Sequence, residues 1–289
     1  MIRIIAILIC ALFVFSCFSG PQKKRRSYKS KHSQSQKKRA GKKSSSKTAQ
    51  KSSKKTKSQA KAKGRRQNLI LPSIVNSKDQ SPMVLVDSGK YFVTPPSGRT
   101  TSSGAQVNLL AFYIDRFEIT VDQFKKFNPK YNETRFINPC PKCPAVGVTW
   151  SQARDYCFWA GKILPTEAQW EAAAQGPVRR IWPWGNRFDP KKANLMGVAD
   201  GIDGVANVGS YPSGVAPSGA QDMTGNVWEW VATSSKTSPN QKLVKGGGWR
   251  TQQGFSLISA RNWVDPKMQN PTFGFRCAKN INIKRMLKR

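Results

Sequence analysis

Between Pro21 and Arg66 the chain carries 20 Lys and Arg, no Asp or Glu, and almost no large apolar side chain. Like charge at that density, with so little to bury, cannot offset chain entropy, so the stretch is expected to be disordered. As a neutral coil it would span roughly 35–40 Å, and self-repulsion would lengthen it. Any fold is therefore confined to the rest of the 289 residues, where all 15 acidic residues lie. The chain beyond Arg66 still carries a net charge of about +13. Eight of the nine Trp fall between Trp150 and Trp249, in a region dense in Gly and Pro. That composition points to one irregular, loop-rich domain. The expected organisation is a signal over 1–17, a basic tail over 18–80, a domain over 81–280 starting near Pro82, and a basic end over 281–289.

The first residues read as an export signal. Arg3 is the positive n-region, Ile4 to Phe15 the apolar h-region, and Val14-Phe15-Ser16-Cys17 the cleavage site. Twelve apolar residues are short for a bilayer core of ~30 Å. The last four resemble a relaxed lipobox, in which Cys17 would be lipidated. Phe15 stands where a small residue is usual, so cleavage without lipidation and an uncleaved anchor stay open. Lys23 to Arg26 follow immediately, where positive charge favours retention inside. Of six cysteines, Cys140, Cys143, Cys157 and Cys277 lie in the domain, an even number that suits two disulfides and an oxidising compartment. The expected location is a membrane-anchored lipoprotein or the cell envelope. His32, the one histidine, lies in the tail, which excludes a histidine iron site and a His-based triad in the domain.

The tail reads either as a solvated spacer or as an electrostatic grip on a polyanion. An exported chain would meet acidic envelope glycans or a membrane surface, and a retained one nucleic acid.

Met83 to Val86 and Tyr91 to Thr94 read as strands joined through Asp87-Ser88-Gly89-Lys90 in a hairpin, and Ala111 to Asp115 as a third. Thr120-x-x-Gln123, Thr149-x-x-Gln152 and Thr166-x-x-Gln169 each fit a capping box. In the second helix Trp150, Ala153, Cys157 and Ala160 recur at helical spacing, placing Cys157 on the core side. Gly161 and Pro165 supply stop and start signals.

The segments MVLVDSGKYFV, FYIDRFEITVDQFKKF, VGVTWSQARDYCFWAGKILPTEAQWEAAAQG, WPWGNRFDPKKANL, VGSYPSG, GAQDMTGNVWEWV, KLVKGGGWR and GFRCA, in this order, closely resemble the formylglycine-generating enzyme (sulfatase-modifying factor) family. The resemblance runs from Pro82 to Lys279. It implies an α+β, variant C-type-lectin-like fold, loop-rich, with short strands and about three short helices. Ile163 and Gln169 depart from the family's usual Arg and Glu.

Two oxygen-only ligand sets suit calcium, a hard cation that accepts flexible coordination. One is Asn194 and Asp200 with the carbonyls of Leu195 and Ile202. The other is Asp222 and Glu229 with the carbonyls of Gly225 and Val227. By themselves such residues more often form plain turns and surfaces; the resemblance places both sets on the family's calcium positions, implying structural metal. It also implies a Cys157–Cys277 disulfide. Cys140-Pro-Lys-Cys143 could form a redox pair, half a zinc site or a clip. It precedes Pro144 and a strand and lacks a second ligand pair, so a clip is expected.

Catalytic relatives oxidise a substrate cysteine with two cysteines and copper in the segment before GFRCA. No cysteine lies between Gly246 and Cys277 here, and Thr251 and Ser256 offer no soft thiolate, so neither copper nor iron is expected. The reading is a non-catalytic binding or scaffolding module with a protein or glycan partner at the vacated cleft. Its surface would be Arg250, Thr251, Gln252, Gln253 and Ser256, with Arg261, Asn262 and Trp263 alongside. An enzyme of another reaction in the same superfamily, and a polyanion binder working through the tail, are the alternatives.

Overall fold

Apolar residues of the domain come in short runs, none longer than the six from Leu109 to Ile114, and among the described residues the computed structural model builds three small sheets around three short helices. It describes residues 72–95, 105–197 and 202–281. The signal, Cys17, the basic tail and Asp200 lie outside these residues. In chain order the strands before the first helix are β1 (Ser73–Val75), β2 (Pro82–Val86), β3 (Gly89–Val93), β4 (Ala105–Leu109) and β5 (Phe112–Asp115). Then come α1 (Val121–Phe127), α2 (Trp150–Trp159) and α3 (Glu167–Gln175). The chain closes with β6 (Trp228–Ser234), β7 (Lys242–Lys245), β8 (Asn262–Val264), β9 (Phe273–Gly274) and β10 (Ala278–Asn280).

All three helices begin as the capping boxes require. Thr120, Thr149 and Thr166 accept from the backbone N–H three residues on, and the Gln there reaches back to the cap. Each cap stabilises its helix by about 1 kcal/mol. Gly161, at φ 69°, takes the left-handed conformation that ends α2.

The expected hairpin between Met83–Val86 and Tyr91–Thr94 is not formed. β2 has β1 on one side and β5 on the other, so both its edges are filled. β3 leaves that sheet and pairs with β4 instead. β1 spans only Ser73–Val75, so the fold begins ahead of residue 81. The third sheet runs β8-β7-β6-β9, with β6 and β9 parallel.

The core has two parts. One gathers Phe112, Ile114, Trp170, Met223, Val231 and Leu243. The other is aromatic: Phe124 meets Tyr131, Phe127, Tyr156 and Phe275 at ring distances of 4.9 to 5.9 Å. Cys157 and Cys277 are both fully buried in this second part and joined in a disulfide. Closing 120 residues of chain contributes roughly 4–5 kcal/mol on the chain-entropy account.

Candidate functional site

Ahead of β6 the loop Asp222–Val227 curls tightly, with Asp222, Gly225 and Asn226 all at positive φ (58°, 80° and 57°). Gly225 is required there, because a Cβ would lie 2.3 Å from the Asn194 carbonyl oxygen. Asn226 ties the neighbourhood together. Its N–H donates to the Asn194 carbonyl at 2.9 Å, and its Nδ2 to Glu118 Oε1 at 3.1 Å. Its Oδ1 accepts from the Ala206 N–H at 2.9 Å and from Asn194 Nδ2 at 3.3 Å. The Asn194 end of the first expected calcium stretch is therefore brought beside the second. Asn194 and Leu195 are buried, Ile202 is exposed, and Asp200 lies outside the described residues.

In the second set Glu229 is held by Arg276 and Trp170. Its Oε1 accepts from Arg276 Nη2 at 2.7 Å; its Oε2 accepts from Arg276 Nε at 2.7 Å and Trp170 Nε1 at 2.8 Å. Asp222 Oδ2 accepts from the Gly209 N–H at 2.6 Å. Sequence reasoning missed Glu118, which completes this cluster. It is buried, its Oε2 has no hydrogen-bond partner among the described residues, and Arg276 Nη2 lies 4.0 Å away. Burial pushes the Glu118 carboxyl well above the usual carboxylate range, and the charge of Asp222 adds to this against Arg276. Burial raises Asp222 as well, outweighing the Gly209 N–H and Arg276. The available signals were a carboxylate between Phe117 and Ile119, and an Arg inside the apolar Gly-Phe-Arg-Cys-Ala run.

Among the described residues no three His, Cys, Asp or Glu side chains converge on a ready-made metal position. Charge nevertheless leaves room for a cation. With all groups ionised, Glu118, Asp222 and Glu229 carry three negative charges against the single positive charge of Arg276. Every donor is a hard oxygen, which suits calcium and not copper.

The segment expected to be vacated by chemistry packs against the same loop. Gly225 N–H donates to the Gly246 carbonyl at 3.0 Å, and Trp249 N–H to the Asn226 carbonyl at 2.9 Å. Thr251 Oγ1 accepts from Trp228 Nε1 and from the Gly248 N–H, both at 3.0 Å. Ser256 is fully buried, and its Oγ donates to the Gln252 carbonyl at 3.2 Å. A Cβ on Gly247 would meet that Oγ at 2.4 Å. Both hydroxyls are structural, and Ser256 does not belong to a surface.

The remaining surface candidates do not share one face. Gln252 and Gln253 line a cleft of about 470 Å³ with Phe188, Met196 and Phe255. Arg250 lines a different cleft of about 470 Å³, with Arg135, Trp249, Cys140 and Cys143. Arg261 and Trp263 border a small third one, of about 180 Å³. There Arg261 binds Glu167 through Nε at 2.5 Å and Nη2 at 2.8 Å. Asn262 begins β8, half-buried. The spacing in sequence concealed this, because Ile258, between the two groups, is buried in the core.

Cys140 and Cys143 form the expected disulfide. Its loop is pinned by the Val121 N–H to the Cys143 carbonyl (2.9 Å) and the Val208 N–H to the Lys142 carbonyl (3.0 Å).

Comparison with known proteins places these features in a family. Residues 71–281 match the sulfatase-modifying factor enzyme 1-like domain. The inactive C-alpha-formylglycine-generating enzyme 2 of Bos taurus is 36% identical over 150 residues, covering 47% of this chain and 50% of that protein. The serine/threonine-protein kinase pkn1 of Chlamydia pneumoniae is 32% identical over 242 residues, covering 69% and 38%. The chain thus spans half or less of these curated relatives' length. Among solved structures, PvdO from Pseudomonas aeruginosa superposes with a TM-score of 0.60 at 25% identity, over 72% of this chain and 98% of PvdO. The chain belongs to the sulfatase-modifying factor enzyme 1-like domain family, with the α+β, loop-rich architecture its segments implied.

Proposed function

We propose that the domain is a non-catalytic binding or scaffolding module, exported to the cell envelope and tethered by its polybasic tail. The observation that carries this reading is the commitment of Thr251 and Ser256. Both hydroxyls hold the local backbone, and no cysteine lies between Gly246 and Cys277. A thiol oxidase needs a nucleophile that exists as thiolate near neutral pH. Similarity to a relative named inactive supports the same reading. Incubating the purified chain with copper, oxygen and a cysteine-containing sulfatase-motif peptide is expected to yield no aldehyde by mass spectrometry. Turnover would overturn the proposal.

Calcium is proposed as a structural support. Asp222 and Glu118, with the carbonyls of Gly225 and Val227 and the remaining lone pair of Glu229 Oε1, would hold it. A cation there would neutralise the buried negative charge and pin the loop that carries Asn194. Metal analysis of the purified protein, with calcium and copper measured together, tests this directly.

A second reading, polyanion binding, is favoured by where the charges lie. Among the described residues eight acidic side chains are buried, against Lys162, Lys245 and Arg276 as the buried bases. The domain surface is thereby left more basic than its composition. Polyanion binding should weaken linearly in log[salt], and a flat response would remove this reading.

A further inference from the structure

The Cys140–Cys143 disulfide borders the same cleft as Trp249 and Arg250, although more than a hundred residues separate them in sequence. Within the pair, Cys143 is 4% exposed and Cys140 more open. The Cys143 sulfur lies 3.8 Å from the Val205 carbonyl oxygen, and the Cys140 sulfur 3.2 Å from Asn207 Oδ1. Two guanidiniums line the cleft against one carboxylate, Asp203, and both rest on aromatic rings, Arg250 4.3 Å over Trp249 and Arg135 5.6 Å over Phe136. Stacking keeps such forks oriented toward carboxylates. Trp249 Nε1 is buried with no partner among the described residues, a spare donor at this cleft. At about 470 Å³ the cleft is of small-ligand size.

We propose that this cleft captures an acidic thiol by thiol–disulfide exchange at Cys140. The partner class is a cysteine thiol flanked by carboxylates, either a small acidic tripeptide such as glutathione or a protein segment. This rests on the reading of the domain as a binding module. The partner thiolate attacks the Cys140 sulfur; the Cys140–Cys143 bond breaks and a partner–Cys140 disulfide forms. Cys143 leaves as thiolate and takes one proton from solvent, so no external oxidant is consumed. The protonated Cys143 then has the Val205 carbonyl within reach as an acceptor. Burial of Cys143, 4% exposed, slows the return of the freed thiol to the mixed disulfide, which prolongs the adduct. Arg135 and Arg250 bind the partner's carboxylates and favour the thiolate they face.

The test incubates the oxidised full chain with glutathione, with an aspartate-flanked cysteine peptide, or with cationic cysteamine at equal thiolate concentration. After an acid quench and alkylation, mass spectrometry reads the adduct on Cys140, the freed Cys143 thiol and the intact Cys157–Cys277 bond. The acidic thiols should react at least tenfold faster than cysteamine, and Arg135→Gln with Arg250→Gln should erase that ratio. Cys143→Ser, treated with glutathione disulfide, should hold the adduct permanently. Preference for the tripeptide assigns a small thiol, and preference for the peptide a protein segment. Equal rates for acidic and cationic thiols, or no freed Cys143 in the unmutated chain, would overturn the proposal. Aldehyde formation in the copper assay would instead remove the non-catalytic reading while leaving adduct formation intact.

Discussion

Lys162 and Arg276 are both fully enclosed, and both hold Asp115, one through its carboxylate and the other through its carbonyl. Lys162 contacts Asp79 at 2.6 Å, Asp115 at 2.9 Å and Ser81 Oγ at 3.0 Å. The two carboxylates also accept from the Tyr156 and Ser81 hydroxyls and from the Ser81 and Cys277 N–H groups. Arg276 is well bonded to Glu229, yet its surroundings hold two further acids and one carboxylate oxygen without a partner among the described residues. A closed cluster contributes to the fold alone. An open one must take up either protons or a cation, and that separates a structural network from a candidate site.

The largest effect should come from breaking the closed cluster. Lys162→Met leaves two buried carboxylates without their cation and should cost about 3–5 kcal/mol in denaturant unfolding. A loss below 1 kcal/mol would show that the cluster is not closed in solution.

The open cluster should respond to metal. Calcium at a hundredfold excess over its dissociation constant should add about 2.7 kcal/mol, seen as a raised Tm that a chelator reverses. Glu118→Gln should blunt that response while leaving the chelated protein folded. A Tm indifferent to both calcium and chelator would assign the cluster to protons.

Acidity gives a smaller, signed test. Glu118 and Asp222 are raised above the unfolded range, so the native state binds protons the unfolded chain does not. Their contribution is full below the usual carboxylate range and is lost as pH rises through their elevated values. Around Lys162 burial raises Asp115 in the same direction, against Lys162, and the sign reverses only at Asp79. Burial acts to raise its carboxyl, but Lys162 and the hydrogen bonds outweigh burial and hold it low. That contribution is present above the usual range and is lost as pH falls through the depressed value. Chelated protein should therefore lose stability from mildly acidic to mildly alkaline pH, and calcium should flatten the curve. Identical slopes with and without calcium would detach the metal from Glu118 and Asp222.

The smallest effect concerns the vacated segment. Thr251→Val removes the acceptor shared by Trp228 Nε1 and the Gly248 N–H and should cost about 1 kcal/mol, read by thermal unfolding. No change would return Thr251 to the candidate surface.

Features set by near neighbours were legible in the chain. A capping box needs a Thr and a Gln three residues apart, so Thr120, Thr149 and Thr166 marked helix starts without help from the rest of the fold. Burial of Cys157 followed from helical spacing, whereas its pairing with Cys277 came from family resemblance. Strand pairing was not legible in the same way. Nothing within residues 82–94 reveals that β1 and β5 fill the edges of β2, so a local hairpin looked self-sufficient. Ser256 sits in a polar stretch and reads as surface, yet the left-handed Gly247 brings the backbone over it.

By itself the sequence determined where a core could form and how the helices begin, because composition is fixed by the chain and capping hydrogen bonds join residues three apart. Tertiary structure alone decided which charges go inside, which carboxylate lacks a partner, and that Cys140 shares a cleft with Trp249. Those outcomes depend on partners brought from far along the chain, such as Glu118 to Asn226 or Asp115 to Arg276. The free energy of a buried charge is set by the groups that surround it in space.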